Sequence, residues 1–245
     1  MLLHTVRTQA EHFHRLIPLL LPDRTVYALD LPGMGHSDIE PGASYDEAAM
    51  RHAVKRLIVE LDLHDVTLVG ESMGGTLALT AAADLPHRVT RVVAVNTYDY
   101  PGGITRSSPL ARIIVTGILA PVIGPTLAGI EPRPIMRAIL HGGLVENDAL
   151  TEDYLDELLR VGKRPGYSRV ARAVFGNLPS LIAARADYRR LTVPVHLVYG
   201  DKDWSRASDR ESNRRLLPEA DFLEVRNTGH FLSLEKPEVV AGLVL

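Results

Sequence analysis

One serine in this 245-residue chain has neighbours that suit a nucleophile. It is Ser72, in the run Val66-Thr67-Leu68-Val69-Gly70-Glu71-Ser72-Met73-Gly74-Gly75. A β-rich segment ends in Gly-x-Ser-x-Gly and a helical pattern begins at once. This strand–turn–helix is a nucleophile elbow, a sharp turn that lifts a hydroxyl above the end of a sheet. Glycines two positions either side are required because neighbouring backbone passes too close for a Cβ. The helix beginning beside Ser72 directs backbone N–H groups and the positive end of its dipole toward the reacting oxygen. Composition alone gives about 0.07 chance matches to the motif in a chain of this make-up, so the pattern is specific.

A serine hydroxyl is a weak nucleophile near neutral pH and needs a base, usually a histidine oriented by a carboxylate. Ten histidines compete. His230, in Asn227-Thr228-Gly229-His230-Phe231, follows the last β-rich run and falls at the carboxyl edge of the expected sheet, where open α/β sheets carry their sites. His52 and His64 flank a surface-helix pattern, His87 follows Pro86, and His196 lies within a strand pattern. The pair His12 and His14 lacks a carboxylate cluster with metal spacing and reads as part of a partly exposed helix. For the orienting acid, a strand pattern ends in Gly200-Asp201-Lys202-Asp203-Trp204. Asp203 is preferred because the glycine turn carries the chain past the strand end before the acid returns. Asp201 is the alternative and Asp99 a third candidate. Trp204 packs either against the site or into the core.

The elements needed to hold these groups are legible as alternating β-rich runs and helical patterns, the signature of parallel βαβ units. Strands are expected at residues 2–3, 25–29, 66–69, 89–95, 193–199 and 222–225. A helix is expected over 45–61, with a Ser44/Glu47 capping box and an apolar face of Val54, Leu57, Ile58 and Leu61. The alternation fails between about residues 100 and 188, which hold helix signals, proline and glycine but no strand. That stretch is too long to be a structureless loop and reads as a helical insertion.

The chain resembles the α/β-hydrolase family, specifically members with a helical cap, over nearly its whole length. The resemblance rests on the elbow, on Tyr27-Ala28-Leu29-Asp30-Leu31-Pro32-Gly33-Met34-Gly35-His36-Ser37-Asp38 before it, and on Glu235-Lys236-Pro237-Glu238 after His230. It implies an α/β fold with a mostly parallel sheet flanked by helices: a core of residues 1–99 and 187–245 and a cap of 100–186. It also implies a triad of Ser72, Asp203 and His230, with an oxyanion hole of the Met73 and Val6 backbone N–H groups. Thr5 stands where the family has glycine, a position at which positive φ would suit a β-branched residue poorly. The family's amino-terminal hairpin is missing, so residues 25–29 would form an exposed edge strand.

The expected activity is cofactor-free serine hydrolysis of a small-molecule ester, with an apolar acyl part because the cap is most apolar over residues 113–130. An amide, a carbon–carbon bond or perhydrolysis of the haloperoxidase type is open to the same triad, and so is a non-catalytic ligand-binding role. Net charge is −3 and no run of like charges marks a nucleic-acid surface. The absence of cysteine excludes disulfides and thiolate metal sites and fits a reducing, cytoplasmic compartment. Residues 113–130 form an uncharged run of membrane-spanning length, but Gly117, Pro121, Gly124, Pro125 and Gly129 break it, so no stable insertion is expected.

Overall fold

The computed structural model describes all 245 residues. Six strands form one sheet: β1 (Leu2–Leu3), β2 (Ala28–Leu29), β3 (Val66–Glu71), β4 (Val89–Val95), β5 (Val195–Gly200) and β6 (Asp221–Val225). Their order is β2-β1-β3-β4-β5-β6 and every pairing is parallel. Helices join them: α1 (Ile17–Leu20), α2 (Glu47–Glu60), α3 (Met73–Asp84), then α4 (Pro109–Leu119), α5 (Gly124–Leu127), α6 (Arg133–His141), α7 (Glu152–Gly162) and α8 (Tyr167–Ala184). After β5 come α9 (Ala207–Leu216), α10 (Leu232–Glu235) and α11 (Pro237–Val244).

Helices cover both faces of the sheet, which explains the continuous apolar runs of β3 and β4. Along β4, Val92 and Ala94 join the larger core cluster beneath α2 and α3, while Val93 and Val95 point to a smaller one with Phe13, Leu16 and Val240. Strand periodicity thus serves two cores at once. Helices α4–α8 all fall between β4 and β5, with no strand among them, so the insertion expected there is a helical cap over the carboxyl edge.

Three local expectations differ from the structure. Helix α2 starts two residues later than expected and is capped by Asp46, whose side chain accepts from Ala49 N–H at 2.9 Å. Ser44 plays no part, because Glu47 turns inward to accept from the Thr80 hydroxyl at 2.6 Å. Of residues 25–29 only Ala28 and Leu29 form the strand, with Tyr27 O also accepting from Leu2 N–H at 2.8 Å; no strand lies beyond them, and so short a run limits the exposed edge. His12 is buried rather than partly exposed, for reasons given below.

Candidate active site

Both glycines of the elbow are required by backbone packing. A Cβ on Gly70 would stand 2.0 Å from the carbonyl oxygen of Gly74, and one on Gly74 would stand 2.0 Å from that of Leu3. This close approach brings the loop after β1 against the first turn of α3. Ser72 between them takes φ 60° and ψ −118°, a conformation that L residues avoid. The turn is held from several sides. Ser72 N–H donates to Val95 O at 2.8 Å, and Ser72 O accepts from Tyr98, Gly75 and Thr76 N–H at 3.1, 3.0 and 3.2 Å.

The strained turn puts Ser72 Oγ 2.9 Å from His230 Nε2. His230 Nδ1 lies 2.5 Å from Asp203 Oδ1, so this nitrogen carries the proton and Nε2 is free to accept one. All three side chains are buried. Burial by itself would raise the Asp203 carboxyl, but the facing His230 and hydrogen bonds from His230 and Ser205 outweigh it and hold the group below its usual range. It is therefore a carboxylate at neutral pH. The Trp204 ring stacks on the imidazole at 3.7 Å between centroids and 12° between planes, and its Nε1–H donates to Gly142 O at 2.9 Å.

The other acids lie elsewhere. Asp201 accepts from Thr228 N–H at 3.2 Å and pairs with Lys202, bracing the turn that leads to His230. Asp99 is buried, accepting from Tyr188 OH at 2.7 Å and Asn213 Nδ2 at 3.0 Å. Burial pushes its carboxyl above the usual range, against those hydrogen bonds.

The His230 loop is clamped by Asn96, which no sequence motif singled out, and by Glu235, noted in the sequence only as part of the family resemblance. Asn96, at the end of β4, donates to Gly229 O and His230 O at 3.1 and 2.9 Å and accepts from Gly200 N–H at 2.9 Å. The buried carboxylate of Glu235 accepts from Gly229, Val145 and Glu146 N–H at 2.6, 2.7 and 2.7 Å. Gly143 O accepts from His230 N–H at 2.7 Å. The histidine is thus tied to the cap as well as to the sheet. Asn96 stands directly after a strand at the sheet's carboxyl edge, a position that could have flagged it.

A second buried cluster lies beside Ser72, around its neighbour Glu71. His12 Nε2 is 2.7 Å from Glu71 Oε2, and its Nδ1 is 3.0 Å from the hydroxyl of Tyr154 on α7. Glu71 also accepts from Ser233 N–H at 3.3 Å. This pairing is what draws His12 into the interior.

The Met73 and Val6 backbone N–H groups have no hydrogen-bond partner within the protein. Thr5 keeps negative φ; the positive value falls on Arg7, at 64°. The glycine expected before Val6 is therefore not needed for this course of the loop. His4 fixes the loop start. Its Nδ1–H donates to Thr5 O at 2.8 Å and its Nε2 accepts from Leu31 N–H at 3.0 Å. Burial lowers its pKa to about 4, so the ring is neutral.

A mostly apolar cavity opens from Ser72 into the cap, lined by Ile114, Val115, Ile118, Met136, Leu140 and Phe175 among others. Its charged exceptions are Arg7 and Glu131, which form a bidentate pair joining the loop after β1 to the cap. The Arg7 guanidinium also lies 4.5 Å over the Tyr167 ring.

A six-stranded parallel sheet, an elbow serine hydrogen-bonded to a buried histidine and a helical cap together define the class. The chain belongs to the alpha/beta hydrolase family, whose model matches residues 2–243. An uncharacterised hydrolase of Bacillus subtilis, YugF, is 25% identical over 97% of this chain and 85% of its own length. The mouse sn-1-specific diacylglycerol lipase ABHD11 is 27% identical over 88% of this chain and 68% of its own. Among solved structures, wild-type Cfl2 from Burkholderia cenocepacia superposes with a TM-score of 0.81 at 23% identity, covering 99% of this chain and 85% of that one. That likeness concerns the fold alone.

Proposed function

We propose that this chain is a cofactor-independent serine hydrolase that cleaves carboxylic esters with an apolar acyl group. The observation that carries the reading is the hydrogen-bonded series Ser72 Oγ, His230 Nε2, His230 Nδ1 and Asp203 Oδ1 at the floor of an apolar cavity. His230 accepts the Ser72 proton as Oγ attacks the ester carbonyl carbon. The C=O electron pair moves onto oxygen, which the Met73 and Val6 N–H groups stabilise. Collapse expels the alkoxide, which takes its proton from His230 and leaves an acyl group on Ser72. Water, deprotonated by His230, then attacks the acyl carbon; the carboxylic acid departs and Ser72 regains its proton. Asp203 holds the imidazole in the required tautomer and favours the imidazolium that forms at each step. The cavity lining suits an acyl chain rather than a charged one, and the mouse relative named for cleaving diacylglycerol acts on such an ester.

A fluorophosphonate probe tests the reading directly. Wild-type protein should be labelled at Ser72 and Ser72→Ala should not, and p-nitrophenyl esters of graded chain length should show turnover that rises with apolar length. A folded wild-type protein that takes no label and turns over no ester would instead support the ligand-binding role.

A further inference from the structure

The cap carries an apolar surface that its own fold leaves uncovered. Eight large hydrophobic side chains between residues 110 and 135 are exposed, among them Ile113 at 70% and Val122 at 87%. Scattered exposed hydrophobics are ordinary, but so many within one short stretch are not. The stretch forms α4, α5 and the start of α6, and α4, α5 and α8 pack against one another, which sets the exposed side chains of α4 and α5 on neighbouring helices. None of its helices is long and apolar enough to cross a membrane.

Two further features say what covers this patch. The first is charge. No Asp or Glu occurs from residue 100 to 130, and the guanidinium groups of Arg112 on α4 and Arg172 on α8 have no carboxylate partner. The second is its relation to the cavity. Ile114, Val115 and Ile118 on α4 line the cavity above Ser72, while Ile113 of the same helix faces outward. Ile130 and Ile135 are both exposed and part of the cavity wall, so the outer patch runs into the mouth. A protein seated there would close the mouth. A lipid surface would cover the patch and present apolar esters to the opening at the same time.

We propose that residues 110–135 dock the cap onto a lipid surface containing anionic headgroups and that the substrate is an ester held in that surface. Ile113, Val122 and Ile123 enter the acyl boundary, as the apolar face of an interfacial helix does, while Arg112 and Arg172 meet lipid phosphates. The substrate part of this inference rests on the hydrolase reading above; the docking part does not.

The test is flotation with vesicles of phosphatidylcholine, with or without about a third phosphatidylglycerol. Wild-type protein and Ser72→Ala should both float, and more strongly with the anionic lipid. The double substitution Ile113→Asp, Val122→Asp, at two exposed sites outside the cavity wall, should weaken vesicle binding by at least about tenfold. Its circular dichroism and its rate on a soluble short-chain ester should match wild type, while its rate on a vesicle-borne ester falls about as far as its binding. Wild-type protein that stays with the soluble fraction overturns the proposal. So does a double variant that floats as well as wild type. A wild-type dimer that the double variant dissolves, with neither protein floating, would show that a second copy covers the patch. Wild-type protein that floats but cleaves neither the soluble nor the vesicle-borne ester would count against the hydrolase reading alone.

Discussion

Ser72 sits at φ 60°, which costs on the order of 1–3 kcal/mol and persists because four backbone hydrogen bonds hold the turn. The strain is what brings its oxygen to His230. The histidine needs a fixed tautomer in turn, and Asp203 alone among the nearby acids faces its Nδ1. Asp203→Asn should therefore lower kcat by roughly 10³–10⁴ with the fold intact. Asp201→Asn, at a side chain that contacts Lys202 and the backbone of Asn227 and Thr228 but not the imidazole, should change kcat by less than about threefold. Steady-state kinetics on one chromogenic ester separate the two, and equal losses would remove Asp203 from its proposed role. Glu71 serves the same corner beside Ser72. Glu71→Ala would leave the buried His12 ring and the Ser233 amide without their acceptor, at a cost of about 1–3 kcal/mol in denaturant unfolding.

Elements meet at this site through close backbone approach rather than side-chain packing. The first turn of α3 touches the loop after β1 at Gly74, where a methyl group would lie 2.0 Å from Leu3 O. Gly74→Ala should drive the two apart, moving the Val6 amide away from Ser72. The expected result is a loss of about 1–3 kcal/mol in stability, with kcat reduced by at least about tenfold and KM little changed. An unchanged kcat would argue against Val6 as an oxyanion donor. The same loop starts at His4, whose folded pKa of about 4 lies below its ordinary 6.5. Between those values the unfolded chain binds the extra proton, so this contribution is complete above pH 6.5 and is lost as pH falls toward 4. The midpoint of urea unfolding should decline across that window, and His4→Gln should flatten the decline.

Across the whole molecule, the cap and the sheet are bound together at the site itself. Gly143 and Glu235 tie the His230 loop to the cap, Tyr154 reaches His12, and Arg7 grips Glu131 across the cavity. A cap attached in this way can position the machinery as well as cover it. Glu131→Gln keeps the shape but removes the charge facing a guanidinium that is mostly buried. The structure predicts a destabilisation of about 1–3 kcal/mol and faster proteolysis within the cap. KM should rise more than kcat falls, since the cavity wall is loosened while Ser72 and His230 keep their partners. Cap proteolysis that matches wild type would mean that the pair does not hold the cap down.

Short-range patterns determined much of this protein. The elbow is legible because glycine spacing, a β-rich run and a helical start are all local, and the strand and helix alternation with its long helical interruption is equally local. Even there, side-chain competition shifted details: Asp46 caps α2 because Glu47 is drawn inward to Thr80. Tertiary structure alone decided which of Asp99, Asp201 and Asp203 meets a histidine far along the chain, since that depends on the paths of two loops past the sheet edge. It also decided that His12 is buried against Glu71, that Asn96 and Glu235 clamp the His230 loop, and that Arg7 rather than Thr5 takes the positive φ. The His12–Glu71 and Asn96–His230 contacts join residues distant in sequence, and their meeting is set by how helices and sheet pack, which no local pattern of side chains encodes.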